Sequence, residues 1–272
     1  MNALLEMLSF PFMTRALIAG SLIALSAALL GVTLVLKKYS MIGDGLSHVG
    51  FGAMAVAALL NVAPLVVAIP VVVVAAFILL RFQNQAKLRG DTAIAVISTG
   101  FLAVGVILIH FSKGGNVDLM NYMFGSILAL REIDVWTGIV LSVIVTAAFI
   151  LLYNRIFAIT FDETFAKATG IRTGFYNTVL AILTAITIVL GMRLMGALLI
   201  SGLIIFPAIT AMNLFRSFKK VVVTSGIVAV VSVVSGLIVS YFFGIPTGAG
   251  IVCINVTLLI LSALISRIIK KD

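Results

Sequence analysis

Apolar residues in this chain gather into runs of about 18–22 residues, parted by short polar stretches, and the runs show no strict alternation of apolar and polar positions. A helix needs about 20 residues to cross the hydrocarbon of a bilayer, whereas a spanning strand alternates over about ten. The pattern therefore predicts an all-α, polytopic helical membrane protein with about eight or nine transmembrane helices. The runs lie near 15–36, 44–61, 64–81, 92–110, 135–153, 174–192, 194–214, 221–243 and 247–267. Little more than Asn61 and Pro64 parts the second run from the third, so the count is open by one. A shorter apolar piece, 119–130, cannot cross alone and is expected to re-enter or to lie at the surface.

The basic residues orient these runs. With the first span running out to in, the inner segments hold Lys37, Lys38, Arg81, Lys87, Arg89, Arg155, Lys167, Arg172, Arg216, Lys219, Lys220, Arg267, Lys270 and Lys271. The outer segments hold only Arg15, Lys113, Arg131 and Arg193. Positive charge concentrates on the cytoplasmic side, which places the N-terminus outside and the C-terminus in the cytoplasm. Topology also accounts for the net charge of +9, so no nucleic-acid partner is expected.

Composition agrees: the chain is 62% hydrophobic and 10% charged, against about 25% charged in soluble domains. Residues 1–272 read as a single transmembrane domain embedded in the lipid bilayer, with no soluble domain. Cys253 is the single cysteine, which excludes an internal disulfide and a cysteine-based metal cluster. Glu6 and Pro11 interrupt the opening, and Arg15 is the first basic residue, so no cleavable signal peptide is expected.

Within the second run, residues 41–50 read MIGDGLSHVG. Asp44 and His48 are four apart, which on a helix puts both side chains on one face, one turn apart. A carboxylate and an imidazole inside a membrane protein are costly without a partner. One hard oxygen donor and one borderline nitrogen donor suit a divalent metal ion. A transport site must bind firmly enough to strip water and loosely enough to release, so two donors per chain suit passage better than a closed structural site. Because an imidazole coordinates only when neutral, capture is expected to weaken on acidification. Gly43 and Gly45 flank the acid and predict a break or irregular start of the helix there. Ser47 either donates to a ligand or bonds a helix carbonyl, the commoner outcome.

Residues 160–172 read TFDETFAKATGIR. Thr160 and Glu163 have capping-box spacing, and Gly170 is placed to end a helix of about nine residues. Asp162, Glu163 and Lys167 mark a polar side, and Phe161 and Phe165 fall on one face. Such a helix either presses into a groove on a soluble partner or lies on the lipid headgroups.

Other positions are weaker candidates. His110 ends the fourth run near Asp118, and the two are accessory metal candidates at the outer entrance. Met41, Met120, Met192 and Met195 read as packing. Pro207 is expected to kink or unwind its helix, with a bearing on gating. Asn213 and Asn255 are expected to hydrogen-bond between helices. Small pairs such as Ala24 with Ala28 and Ala53 with Ala57 fit close helix contacts. Arg131, Glu132 and Asp134 read as an interfacial charge cluster.

MIGDGLSHVG after a basic LVLKK, NYMFGSIL at 121–128, MGALLISGLIIFPAITA at 195–211 and IPTGAGI at 245–251 together resemble the permease subunits of bacterial zinc, manganese and iron uptake ABC transporters. The resemblance runs from about residue 12 to 268. It implies a homodimer in the bacterial cytoplasmic membrane and a cytoplasmic ATPase subunit engaged through 160–172 as coupling helix. It also implies an extracytoplasmic metal-binding protein that delivers the ion. It places the translocation ligands at Asp44 and His48. ATP would bind the partner, in keeping with the lack of a G-x-x-x-x-G-K-[ST] motif in this chain. The transported substrate would be Zn2+, with Mn2+ or Fe2+ as alternatives, and no cofactor would be bound permanently.

Two rival classes remain. An ion-coupled secondary carrier for a divalent metal or small solute would use Asp44 and His48 for the coupling ion, and it would work without an ATPase. An intramembrane metalloprotease would want H-E-x-x-H, which the chain lacks. Ser47 and His48 are neighbours facing about 100° apart on a helix, a poor nucleophile and base pair.

Overall fold

The computed structural model describes residues 6, 7, 9–83, 90–111, 125 and 132–269. The long apolar runs fold as helices because each then bonds its whole backbone internally, as lipid requires. Among the described residues the elements are α1 (Pro11–Leu36), α2 (Met41–Leu59), α3 (Pro64–Gln83), α4 (Gly90–Phe111), α5 (Glu132–Leu151), α6 (Tyr153–Phe161), α7 (Glu163–Ala168), α8 (Thr173–Met195), α9 (Ala197–Leu214), α10 (Phe218–Phe243) and α11 (Thr247–Ile269). No strand occurs among them. Eight are long and apolar enough to cross a membrane: α1, α2, α4, α5, α8, α9, α10 and α11. α3 has 20 residues but a shorter apolar stretch, Pro64–Leu80. The expected eight or nine spans are therefore present.

α1 lies at the centre, packed against α10, α9, α5 and α8. Its Ala24, Ala27 and Ala28 are fully buried, and small side chains let neighbouring helices approach closely. Pro11 sits at the first helical turn, where its missing N–H is no loss. At the other end Lys38 takes φ +62 and reverses the chain into α2 within four residues. α2 packs most extensively on α4, then on α3, and also meets α9. Ala53 and Ala57 are buried in it.

Polar residues inside the bundle find partners across helices. Asn213 donates to Ser262 at 3.1 Å, joining α9 to α11, and Ser232 donates to Asn255 at 3.1 Å, joining α10 to α11. Both acids of the expected interfacial charge cluster at the start of α5 pair with arginines on other helices. Glu132 pairs with Arg15 of α1, and Asp134 pairs with Arg193 of α8 at 3.1 Å. Arg131 lies outside the described residues.

Three local expectations are revised. α2 starts at Met41 and runs regularly through Gly43 and Gly45. These glycines serve packing: a Cβ on Gly43 would stand 3.0 Å from Ile204 of α9, and one on Gly45 2.6 Å from Ile94 of α4. α9 is likewise continuous through the buried Pro207, so the helix is not unwound there. Finally, Thr160 does not cap a helix. Its hydroxyl donates to the Ile156 carbonyl at 2.6 Å within α6, and Asp162 caps α7 instead by accepting from the Phe165 N–H at 2.8 Å. Extended backbone at Asp162 separates the two helices.

Candidate metal site and the platform beneath it

α2 is buried from Ile42 to Ala55 except at two positions, Asp44 and His48. Their side chains are 46% and 24% exposed. At about 1.5 Å per residue, they lie about 5 and 10 Å along the helix from its start. The Asp44 Oδ2 to His48 Nε2 distance is 3.6 Å. The expected sharing of one face is therefore observed. Both side chains are partly accessible, in contrast to the buried residues on either side of them.

Ser47, between them in sequence, is buried. Its hydroxyl donates to the Asp44 carbonyl at 2.7 Å, which leaves it a helix-bonding role. It also lies 3.4 Å from the Ser201 hydroxyl of α9. Ser201 donates to the Ala197 carbonyl at 3.2 Å and so lies beside the Asp44 turn of α2. Sequence reasoning missed Ser201, although it lies inside the quoted MGALLISGLIIFPAITA stretch. The available signal was a hydroxyl in an otherwise apolar run.

Among the described residues no group of three or more His, Cys, Asp or Glu side chains gathers where it could hold a metal ion. One chain thus brings two donors to the candidate site, too few to saturate a transition metal. His110 stands exposed in the last turn of α4 with its ring edge-on to Phe111. Asp118 lies outside the described residues, as do 119–124 and 126–130. Met192 is fully buried in the apolar core, in keeping with packing.

At the α1–α2 turn end of the bundle, α6 and α7 form a platform. Ile156, Ile159 and Ala166 anchor it in a second apolar core with Phe149, Leu180 and Phe218. Phe161 and Phe165 stay 58% and 64% exposed. Phe161 leans on Phe157 and Phe218, with ring centroids 4.9 and 5.8 Å away, and Phe165 projects from the next helix. Lys167 occupies the last turn of α7. Gly170 ends the segment at φ +86, with its N–H on the Lys167 carbonyl and that of Ile171 on Ala166. A side chain at Gly170 would meet no atom within 4 Å, so the backbone conformation alone calls for glycine. Gly170→Ala should lower stability by about 1 kcal/mol through left-handed strain, readable as a small drop in melting midpoint.

Membrane protein ZnuB of the high-affinity zinc uptake system of Haemophilus influenzae is 32% identical over 254 residues, 93% of this chain and 97% of that protein. The manganese import system permease protein ScaB of Streptococcus gordonii is 30% identical over 257 residues, 94% of this chain and 92% of that protein. The solved structure of PsaBC from Streptococcus pneumoniae in complex with Fab matches with a TM-score of 0.87 at 29% identity, covering 96% of this chain and 95% of that one. The two sequence relatives are named as membrane components of uptake systems, not as enzymes. The family model described as the ABC 3 transport family matches residues 9–266. With that match reaching from the head of the chain into α11, this multi-pass membrane protein belongs to the ABC 3 transport family.

Proposed function

We propose that this chain is the permease subunit of an ATP-driven importer, and that a divalent transition metal ion passes along the face of α2 marked by Asp44 and His48. The observation that carries the reading is the accessibility of that pair within an otherwise buried helix stretch. An acid facing hydrocarbon is costly, so the pair calls for an aqueous path or for a second copy of the chain against this face. A homodimer would double two donors to four in a geometry that rigid-body motion can make and break. A cytoplasmic ATPase subunit would seat on the platform at Phe161, Asp162, Glu163, Phe165, Lys167 and Gly170. An extracytoplasmic binding protein would deliver the ion at the opposite end. Charge distribution supports that orientation, with the platform in the cytoplasm.

Zinc is the ion we favour. One carboxylate and one imidazole hold zinc more tightly than manganese in the Irving–Williams order, and the relatives named above include both a zinc and a manganese system. The test is uptake into liposomes carrying the permease with its ATPase. Zinc entry that requires ATP, and that manganese inhibits only in excess, is expected. Entry without any ATPase would point to a secondary carrier, and manganese entry undisturbed by zinc would reassign the metal.

A further inference from the structure

Lys37 lies one residue beyond α1, yet its side chain is only 9% exposed. Its ammonium donates to the side-chain oxygen Oδ1 of Asn177 on α8 at 2.7 Å and to Glu163 Oε2 at 3.4 Å. The Asn177 amide donates to Glu163 Oε1 at 2.8 Å. The three side chains therefore close a triangle among the end of α1, the first residue of α7 and the opening of α8. The Tyr39 ring sits 5.9 Å from the same ammonium. Burial pulls the Lys37 pKa down against the opposing pull of Glu163. It raises that of Tyr39, with the Glu163 charge adding to the effect. Of these partners Glu163 is the one that carries the opposite charge, and losing it leaves an uncompensated ion.

The triangle occupies a particular place. Glu163 begins the platform helix. Lys37 begins the four-residue turn into α2, and Asp44 follows seven residues later. Lysine and asparagine thus grip the platform from both sides, one of them at the root of the metal-site helix. We infer that Lys37, Glu163 and Asn177 form a positioning link that carries displacement of α7 into α2, so that the platform and the Asp44–His48 pair move as coupled elements. The inference rests on the reading that the ATPase subunit docks on the platform. The residues of the link need not touch the ion.

The test uses the assembled transporter, permease with ATPase, in liposomes. Three quantities are measured: ATPase subunit retained on purification, ATP hydrolysed, and zinc ions delivered per ATP. Lys37→Met should keep the ATPase subunit bound while ions per ATP drop about tenfold. Asn177→Leu, which removes the corner of the triangle that lies outside the docking platform, should show the same split and stands in if Lys37→Met does not fold. The exchanged pair Lys37→Glu with Glu163→Lys should recover most of the loss, a recovery that general destabilisation does not give. Unchanged ions per ATP in Lys37→Met or Asn177→Leu overturns the link, and so does an exchanged pair that folds and retains the ATPase subunit but stays uncoupled. Phe165→Asp tests the underlying reading separately: loss of the ATPase subunit supports docking on the platform, and full retention overturns that reading.

Discussion

Asp44→Asn and His48→Ala should each cut ATP-driven metal uptake by about 100-fold or more, while the protein melts at close to its normal temperature. The magnitude follows from ligand chemistry: outer-shell partners of metal ligands alone account for about 10- to 100-fold in affinity or activity, and these two residues would touch the ion itself. The normal melting follows from position. Both side chains are partly exposed and 3.6 Å apart, so neither fills a core cavity, and the first-turn charge of Asp44 is worth under about 1 kcal/mol to its helix. Asp44→Asn is nearly isosteric and removes the charge alone. Ser201→Ala sets the scale for a neighbour that orients without ligating, and a loss much smaller than that of Asp44→Asn is expected. The measurement is radiolabelled zinc uptake into liposomes at saturating ATP, paired with a thermal melt. Uptake near the normal rate in both variants would remove the metal path from α2.

Much of the fold was legible because a lipid-crossing helix needs a long apolar run and nothing else about its neighbours. The run 221–243 is extended only by Phe218, Lys219 and Lys220, and 15–36 only by the first turn beginning at Pro11. Those additions are polar or proline-bearing first turns, which hydropathy undervalues. The pairing of Asp44 with His48 was legible for a similar reason, since i and i+4 on one helix need no tertiary information. Interhelical roles for Asn213 and Asn255 followed from their being polar in apolar runs.

What was not legible depended on which helices meet. Gly43 and Gly45 read as breakers from propensity, yet they face Ile204 and Ile94 across helix contacts where a Cβ would crowd. Packing overrode propensity, as it does for glycine in membrane helices. Thr160 satisfied the capping spacing, but α6 ran on past it and left the cap to Asp162 two residues later. Lys37 and Glu163 lie 126 positions apart, so no local pattern joins them. The same holds for Ser201, whose proximity to Asp44 exists only once α9 crosses α2.

Gly31→Ala should be among the most destabilising single substitutions in the bundle, lowering stability by about 3 kcal/mol. A Cβ on Gly31 would overlap the Ile204 carbonyl oxygen outright and come within 2.9 Å of its carbon and 3.1 Å of its Cα. These atoms are backbone in the middle of α9, so no rotamer change relieves the overlap, and α1 and α9 must move apart. Separation opens the contact between the central helix and the helix that brings Ser201 to Asp44. Two other glycines calibrate the effect. At Gly43 the new methyl meets the far end of the Ile204 side chain at 3.0 Å, which a small rotation accommodates, so Gly43→Ala should be milder. At Gly174, in the first turn of α8, nothing lies within 4 Å, and alanine should be neutral or stabilise by about 0.5 kcal/mol through reduced chain entropy. Melting midpoints of the three variants in detergent should therefore fall in the order Gly174→Ala, Gly43→Ala, Gly31→Ala, with Gly31→Ala well apart from the others. If Gly31→Ala melts alongside Gly174→Ala, then α1 and α9 do not touch backbone to backbone, and the placement of Ser201 beside the metal pair loses its support.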